Sequence, residues 1–500
     1  MKRCSGILMP ISSLEGEDGI GTLGKSAYKF ADFLKEAGQS LWQILPLGHI
    51  TEKGSPYECY SAFAGNIYLI DLEKLVEDNL LKKEELINKE ELINKECNHN
   101  REEIDYKVIC KEKIEVLRIA YFRSKGKLEN EINEFVKKNE YWIEDYALFM
   151  ALKEEFNILW NEMDFKIKFR DKKTLKYYSN ILKDKIEFWK FCQYQFFKQW
   201  SELKSYVNSL GIKIIGDIPI YVSEDSVDVW AYSKNFKLDE NKKPLAVSGC
   251  PPDAFSADGQ YWGNPVYDWD NLKKDDYEWW INRIKQSSDM YDIMRLDHFK
   301  GFESYWAIPY ESKKPNDGVW EKGPGVKFFN AIKRQLGNLD FIVEDLGNLT
   351  EEVINLKNEI GFPGMNILQF AFDSREKLDY MPHNYTKNSV VYTGTHDNDT
   401  IIGWCNREGA ESDLEAAKEY LFLNKEEGYN WGFLRATWAT VCVIAIAPIQ
   451  DFLGLNNDFR INIPSDQDNS WKWRIKAGSL TKELAERIYK LTKIYHRLGE

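Results

Sequence analysis

Clustered positive charge is missing from this sequence. Its 67 Lys and Arg are outnumbered by 80 Asp and Glu, for a formal charge of −13, and no basic block interrupts the chain. A nucleic-acid surface needs grouped cations to displace counterions, so no nucleic-acid partner is expected. An acidic surface is compatible with a neutral substrate. Cysteine is also scarce, with eight residues at positions 4, 59, 97, 110, 192, 250, 405 and 442. None forms a C-x-x-C pair, which leaves little for a structural zinc or a dithiol redox site. Reduced thiols in a cytoplasmic protein are the simpler reading. Long apolar runs are lacking too. The longest, Val441 to Ile449, is half a membrane span and contains Pro448. The start, MKRCSGILMPISS, offers only about five apolar residues after its basic pair, fewer than a signal peptide uses. A soluble, cytoplasmic protein with no membrane partner is therefore expected. No G-x-G-x-x-G, Walker loop or H-E-x-x-H appears either.

Aromatic residues, in contrast, are plentiful at 14%, with 17 Trp and 27 Tyr. They either fill a large core or line a cleft with flat apolar faces that suit the CH surfaces of sugars. Composition leaves both open. Short continuous apolar runs recur at 41–47, 212–220, 291–297, 341–347, 366–370, 389–397 and 441–449. Such runs read as parallel strands buried on both faces. Helical spacing separates many of them, as in AYKFADFLKEAG (27–38) and EEVINLKNEIG (351–361). Alternating strands and helices in this number predict an α/β fold, a (β/α)8 TIM barrel with inserted, largely helical subdomains. An open doubly wound sheet is the alternative, but its nucleotide loop is missing.

Residues 73–205 are rich in Lys, Glu and aromatics, follow a helical pattern and lack strand-like runs. We expect a mostly helical insertion there, within a single catalytic unit spanning 1–500. A tandem repeat inside it, EELINK at 84–89 and 90–95, reads as a solvated helix extension.

Barrel enzymes carry their chemistry at the C-terminal ends of strands. Three of the predicted strands end in carboxylates, at Asp297, at Glu344-Asp345, and at Asp397 with Asp399. Acids at the ends of buried runs are costly unless paired or used, and their recurrence is hard to attribute to packing. Retaining glycoside chemistry needs such a set: a nucleophile, and about 5–5.5 Å away a protonated acid for the leaving oxygen. Arg295 falls on the same strand face as Asp297, where its charge would favour an ionised carboxylate. The acid would need a raised pKa, from burial and neighbouring negative charge. Spacing alone does not distribute these roles. His298 and His396 each adjoin a candidate carboxylate, either as donors to sugar hydroxyls, as structural histidines or as metal ligands.

At these residues the chain resembles the 4-α-glucanotransferases of glycoside hydrolase family 77, the amylomaltases or disproportionating enzymes, relatives of the α-amylases. The resemblance runs from SGILMPISSL (5–14) to the tryptophan-rich stretch at 469–474. It is carried by WQILPLG (42–48), SPYECYSAFAGN (55–66), GDIPIYVSEDSVDVWA (216–231), RLDHFKGFESYWAIP (295–309), EDLG (344–347) and YTGTHDNDT (392–400). It implies Asp297 as nucleophile, Glu344 as general acid/base and Asp397 as a transition-state stabiliser. Arg295, His298 and His396 would contact sugar, Asp217 would supply a further acid, and Tyr57 would stack near the cleaved sugar. For Asp217 the other reading is a turn cap, and for Tyr57 it is packing. The segment 249–265 resembles the family's loop over the cleft, with Phe255, Gln260, Trp262 and Asn264 in place. Ala254 and Ser465 depart from the pattern, on the side where Asn462 would face an acceptor sugar. The resemblance implies α-1,4-glucans and maltooligosaccharides as partners, and neither a metal nor an organic cofactor. An α-amylase-type hydrolase with the same carboxylates, and a non-catalytic glucan-binding protein, are the alternatives.

Overall fold

The computed structural model describes residues 2–86, 103–252, 258–347, 349–375, 380–464, 466 and 468–499. Its centre is a sheet of eight parallel strands: β1 (Cys4–Leu8), β2 (Leu41–Gln43), β3 (Lys213–Ile218), β6 (Ile293–Leu296), β9 (Phe341–Val343), β10 (Gly364–Ile367), β11 (Ser389–Tyr392) and β12 (Ile444–Pro448). The spatial order is β10-β11-β12-β1-β2-β3-β6-β9. The Val343 N–H donates to Pro363 O at 3.0 Å, joining the two outer strands and closing the sheet into a barrel. The open-sheet alternative is thereby set aside.

These strands form because their residues are apolar on both faces. β12 reads IAIAP and β11 reads SVVY, with every residue buried. One face fills the barrel and the other receives the surrounding helices. The helices supply the matching stripes. In Lys25–Glu36 the buried positions are Ala27, Phe30, Ala31 and Leu34, at the three- and four-residue spacing of one helical face, together with Phe33. In Glu351–Ile360 they are Val353 and Leu356. Both helices lie where the sequence pattern puts them.

Seven of the eight strands coincide with the predicted apolar runs; β1 does not, and one run ends differently. Strand β10 stops at Ile367, and Leu368–Ala371 is a short 3-10 turn. The turn brings Gln369 across, where its Nε2 donates to Asp399 O at 2.7 Å.

From residue 67 to β3 the described chain is mostly helical, with Tyr106–Ser124, Glu129–Lys138, Ile143–Phe156, Lys172–Ile181 and Lys183–Ser209 as its main helices. Most of the EELINK duplication lies outside the described residues. A second sheet was not foreseen. Strands β4 (Ala246–Cys250), β5 (Gln260–Pro265), β7 (Ser304–Pro309) and β8 (Val319–Lys322) pair antiparallel in the order β5-β4-β7-β8. The segment read as a loop over the cleft therefore contains paired strands, and its residues 253–257 lie outside the described residues. Among the described residues no helix is long and apolar enough to cross a membrane, and no disulfide forms.

Candidate active site

The strand ends of the barrel open into a cleft of about 1860 Å³, whose lining includes Asp297, Glu344 and Asp397. Its walls carry Tyr57, Gln260, Trp262, His298, His396 and Asn462, and Arg295 reaches it from the barrel interior. Asp217 sits beneath this floor, 2% exposed. The site residues expected from sequence thus converge. Phe255 lies outside the described residues, as do Ala254 and Ser465.

Arg295 organises the floor. Its Nη1 donates to Asp217 Oδ1 and Oδ2 at 2.8 and 2.7 Å, and to Asp297 Oδ1 at 2.8 Å. Residues 217 and 295 are register partners in the β3–β6 pair, which fixes that contact through the sheet itself. Burial opposes the Arg295 charge, but Asp217 and Asp297 outweigh it and hold the guanidinium firmly protonated. Asp217 is no turn cap. Its second oxygen also accepts from Tyr57 Oη at 2.7 Å, and burial followed by the Asp297 charge raises its pKa.

Tyr57 is likewise more than packing. Its Oη lies 2.9 Å from His396 Nε2, and the two rings stack at 5.5 Å between centroids with 18° between planes. Trp471 closes over Tyr57 with ring centroids 5.6 Å apart. Burial first, then Asp217 and Asp297, pushes the Tyr57 hydroxyl far above its ordinary range, so it remains a neutral donor.

Glu344 follows β9, and its carboxylate bridges to the β6 end. Oε2 accepts from the His298 N–H at 2.8 Å and Oε1 from the Leu346 N–H at 3.0 Å. Those donors and Arg295 favour ionisation. Burial and the Asp297 charge oppose it and prevail, raising the Glu344 pKa to about 7. His298 adopts a left-handed backbone, φ 48° and ψ 50°, as constrained active-site residues often do. Burial lowers its imidazole pKa to about 4, so the ring is neutral near pH 7. The Trp262 ring meets it edge-on at 4.8 Å, and Trp262 Nε1 donates to Gln260 Oε1 at 3.0 Å. His298 Nε2 is buried without a protein partner.

Asp397 is fastened from the far side. Asn462 Nδ2 donates to its Oδ1 at 2.5 Å, and His396 Nε2 stands 3.3 Å from Oδ2. Arg460, two residues before Asn462, adds to this fastening. Here its Nη2 donates to Asp397 O at 2.7 Å and its Nη1 to Asp399 Oδ1 at 2.6 Å, tying the 460 segment to the strand end. Asp399 was visible only as the last acid of THDND, and Trp471 only as one more tryptophan. Among the described residues no group of three or more His, Cys, Asp or Glu is placed to hold a metal ion.

A (β/α)8 barrel with acids at its strand ends in an aromatic-walled cleft defines the barrel carbohydrate-active enzymes. Comparison with known proteins narrows this class. The sequence model of glycoside hydrolase family 77, described as 4-alpha-glucanotransferase, matches residues 9–481. A 4-alpha-glucanotransferase of Clostridium butyricum is 51% identical over 98% of this chain and all of its own length. That of Thermus thermophilus is 39% identical over the full length of both. Among solved structures, an amylomaltase from Streptococcus agalactiae in complex with acarbose superposes with a TM-score of 0.95 at 41% identity, covering 99% of this chain and 100% of its own. The chain belongs to the family 77 4-alpha-glucanotransferases, glycosyltransferases acting on α-1,4-glucans. The transferase reading therefore stands over the hydrolase one.

Proposed function

We propose that transfer proceeds by two displacements at the anomeric carbon, with Asp297 as nucleophile and Glu344 as acid and then base. The observation that carries this is the contrast between the two carboxylates. Asp297 Oδ1 is bound by a fixed guanidinium, while Glu344 is held near pKa 7 by burial and the Asp297 charge. Two interacting carboxyls in such different surroundings divide into nucleophile and acid. Protonated Glu344 gives its proton to the departing glucan oxygen as Asp297 bonds to the anomeric carbon. A 4-hydroxyl of a second glucan then gives its proton to ionised Glu344 as it displaces Asp297, restoring both groups.

Asp397, oriented by Asn462 and His396, would accept donor-sugar hydroxyls and stabilise the positive charge that develops on the ring. Neutral His298 would satisfy its buried Nε2 on a sugar hydroxyl, and Tyr57 would lie against the sugar being transferred. Gln260 and Trp262 would form the acceptor side. The solved relative's complex with acarbose supports maltooligosaccharide chains as the ligands of this cleft. The absence of disulfides among the described cysteines is compatible with work in a reducing cytoplasm.

Incubation with maltotriose tests the reading. Transfer yields chains longer than three units together with glucose. Products that are all shorter than the substrate would sink it in favour of hydrolysis.

A further inference from the structure

The second sheet presents one large indole that the proposed mechanism does not use. Trp320, on edge strand β8, is 45% exposed and lines the same cleft as Glu344. Its neighbour Glu321 points the other way, accepting from Tyr305 Oη at 2.6 Å, as strand alternation requires. Trp320 is the cross-strand partner of Trp306, whose ring meets it at 5.1 Å and 63°. Trp306 is itself pinned. Its Nε1 donates to Pro315 O at 2.8 Å, and Gly318 lies so close that a Cβ there would fall 2.2 Å from that nitrogen. Lys300 Nζ stands over the Trp320 ring at 4.2 Å from its centroid. An exposed aromatic ring held by a rigid neighbour loses little entropy on binding.

Lys300 relates the indole to the catalytic strand ends. That residue lies in the turn after His298, whose N–H binds Glu344, and Lys322 on the same strand as Trp320 feels the charge of Glu352, beyond Glu344 in the chain. An acid that protonates the leaving oxygen must face the leaving group, and in the reverse half-reaction the acceptor. Leu346, Thr350 and Glu352, which follow Glu344 in the chain, line the cleft with Trp320.

We propose that Trp320 is a stacking platform for the acceptor glucan, beyond the first acceptor sugar, and so makes the enzyme favour longer acceptors. This rests on the assignment of Glu344 as acid/base. One ring face against a glucose ring contributes on the order of 3- to 10-fold in binding.

The test uses α-maltosyl fluoride, a donor of only two sugars, with glucose or maltotetraose as acceptor. Trp320→Ala should lower the ratio of kcat/KM for maltotetraose over glucose about 3- to 10-fold. Trp320→Tyr, which keeps a flat ring, should restore most of it. Trp320→Leu, which keeps apolar packing on Trp306, should not. An unchanged ratio, or equal losses with both acceptors, overturns the proposal. A loss seen only with long donors would also overturn it, by placing the indole on the donor side. Failure of the underlying reading is separate: Glu344→Gln would then keep its turnover of maltotriose.

Discussion

Protonation at Glu344 ties the electrostatics of single side chains to a measurable rate. Donor cleavage needs Glu344 protonated, and its pKa stands at about 7. The acid form therefore predominates below that value and is lost above it. kcat/KM for maltotriose should fall on the alkaline side with an apparent pKa near 7, and a pH–rate profile checks this. Burial and the Asp297 charge hold this pKa up, so Asp297→Asn should lower it while abolishing turnover and preserving glucan binding. The shift is visible as a downward move in the carbon-13 titration of the Glu344 carboxyl. An unmoved titration would mean that burial alone sets the value. Glu344→Gln should cost on the order of 10²- to 10⁴-fold in kcat, the usual worth of a general acid.

The elements that carry these residues were legible to the extent that their burial is two-sided. Seven barrel strands stand out as continuous apolar runs, because a strand covered on both faces has no polar alternation. β1 is missed because Cys4, Ser5 and Gly6 leave only Ile7 and Leu8 as bulky residues. The second sheet is missed for the opposite reason. β5 is only partly buried along most of its length and β8 is largely exposed, so neither shows a periodic face. The acids at strand ends were readable from the motif Arg295-Leu296-Asp297 and its counterparts. The union of Tyr57, Asp217 and His396 was not, because it depends on closure of the barrel between distant segments. The end of the segment that carries Tyr57 is anchored by the helix Lys183–Ser209. Gln193 on that helix donates to Gly65 O at 3.0 Å and accepts from the Gly65 N–H at 2.7 Å, pairing like a strand with the end of the Tyr57 segment. Gly65 is required at this approach, since a Cβ there would lie 1.9 Å from the Phe196 ring. Gln193→Ala strands both buried groups, at roughly 1–3 kcal/mol each. The expected result is a lower melting temperature together with a raised KM for maltotriose, because the Tyr57 segment loses its anchor. A fall in melting temperature with KM unchanged would show that Gln193 supports the fold without positioning the site.

For the whole molecule, the decisive step is joining segments from opposite ends of the chain into one cylinder. β1 lies between β12 and β2, so the barrel is complete only when residues 4–8 meet residues 444–448 in parallel register. Such a pairing carries a large loop-closure cost before it returns any contact. Arg497 secures it at the N-terminal end of the strands. Fully buried, it donates from Nε to Trp438 O at 2.8 Å, from Nη1 to Cys4 O at 3.0 Å, and from Nη2 to Thr440 O and Cys442 O at 3.0 Å each. Arg3 binds the same turn, through Trp438 O at 3.0 Å and Thr440 O at 2.9 Å. Two cations side by side repel, and burial adds to the cost. They are tolerated because several carbonyl dipoles converge on them, which in turn would be orphaned without them. Arg497→Met keeps most of the apolar volume and removes every one of those donors. Cys4 O loses its side-chain donor, while Trp438 O, Thr440 O and Cys442 O keep only Arg3, so stability to chemical denaturant should fall by roughly 1–3 kcal/mol. The catalytic carboxylates stand at the opposite end of the strands, so kcat at temperatures well below the transition should stay within about twofold of the parent. Denaturant midpoints and steady-state rates measured on the same preparation separate the two effects. If stability were unchanged, the clamp would be dispensable to closure; if kcat fell while the fold held, the two ends of the barrel would be coupled.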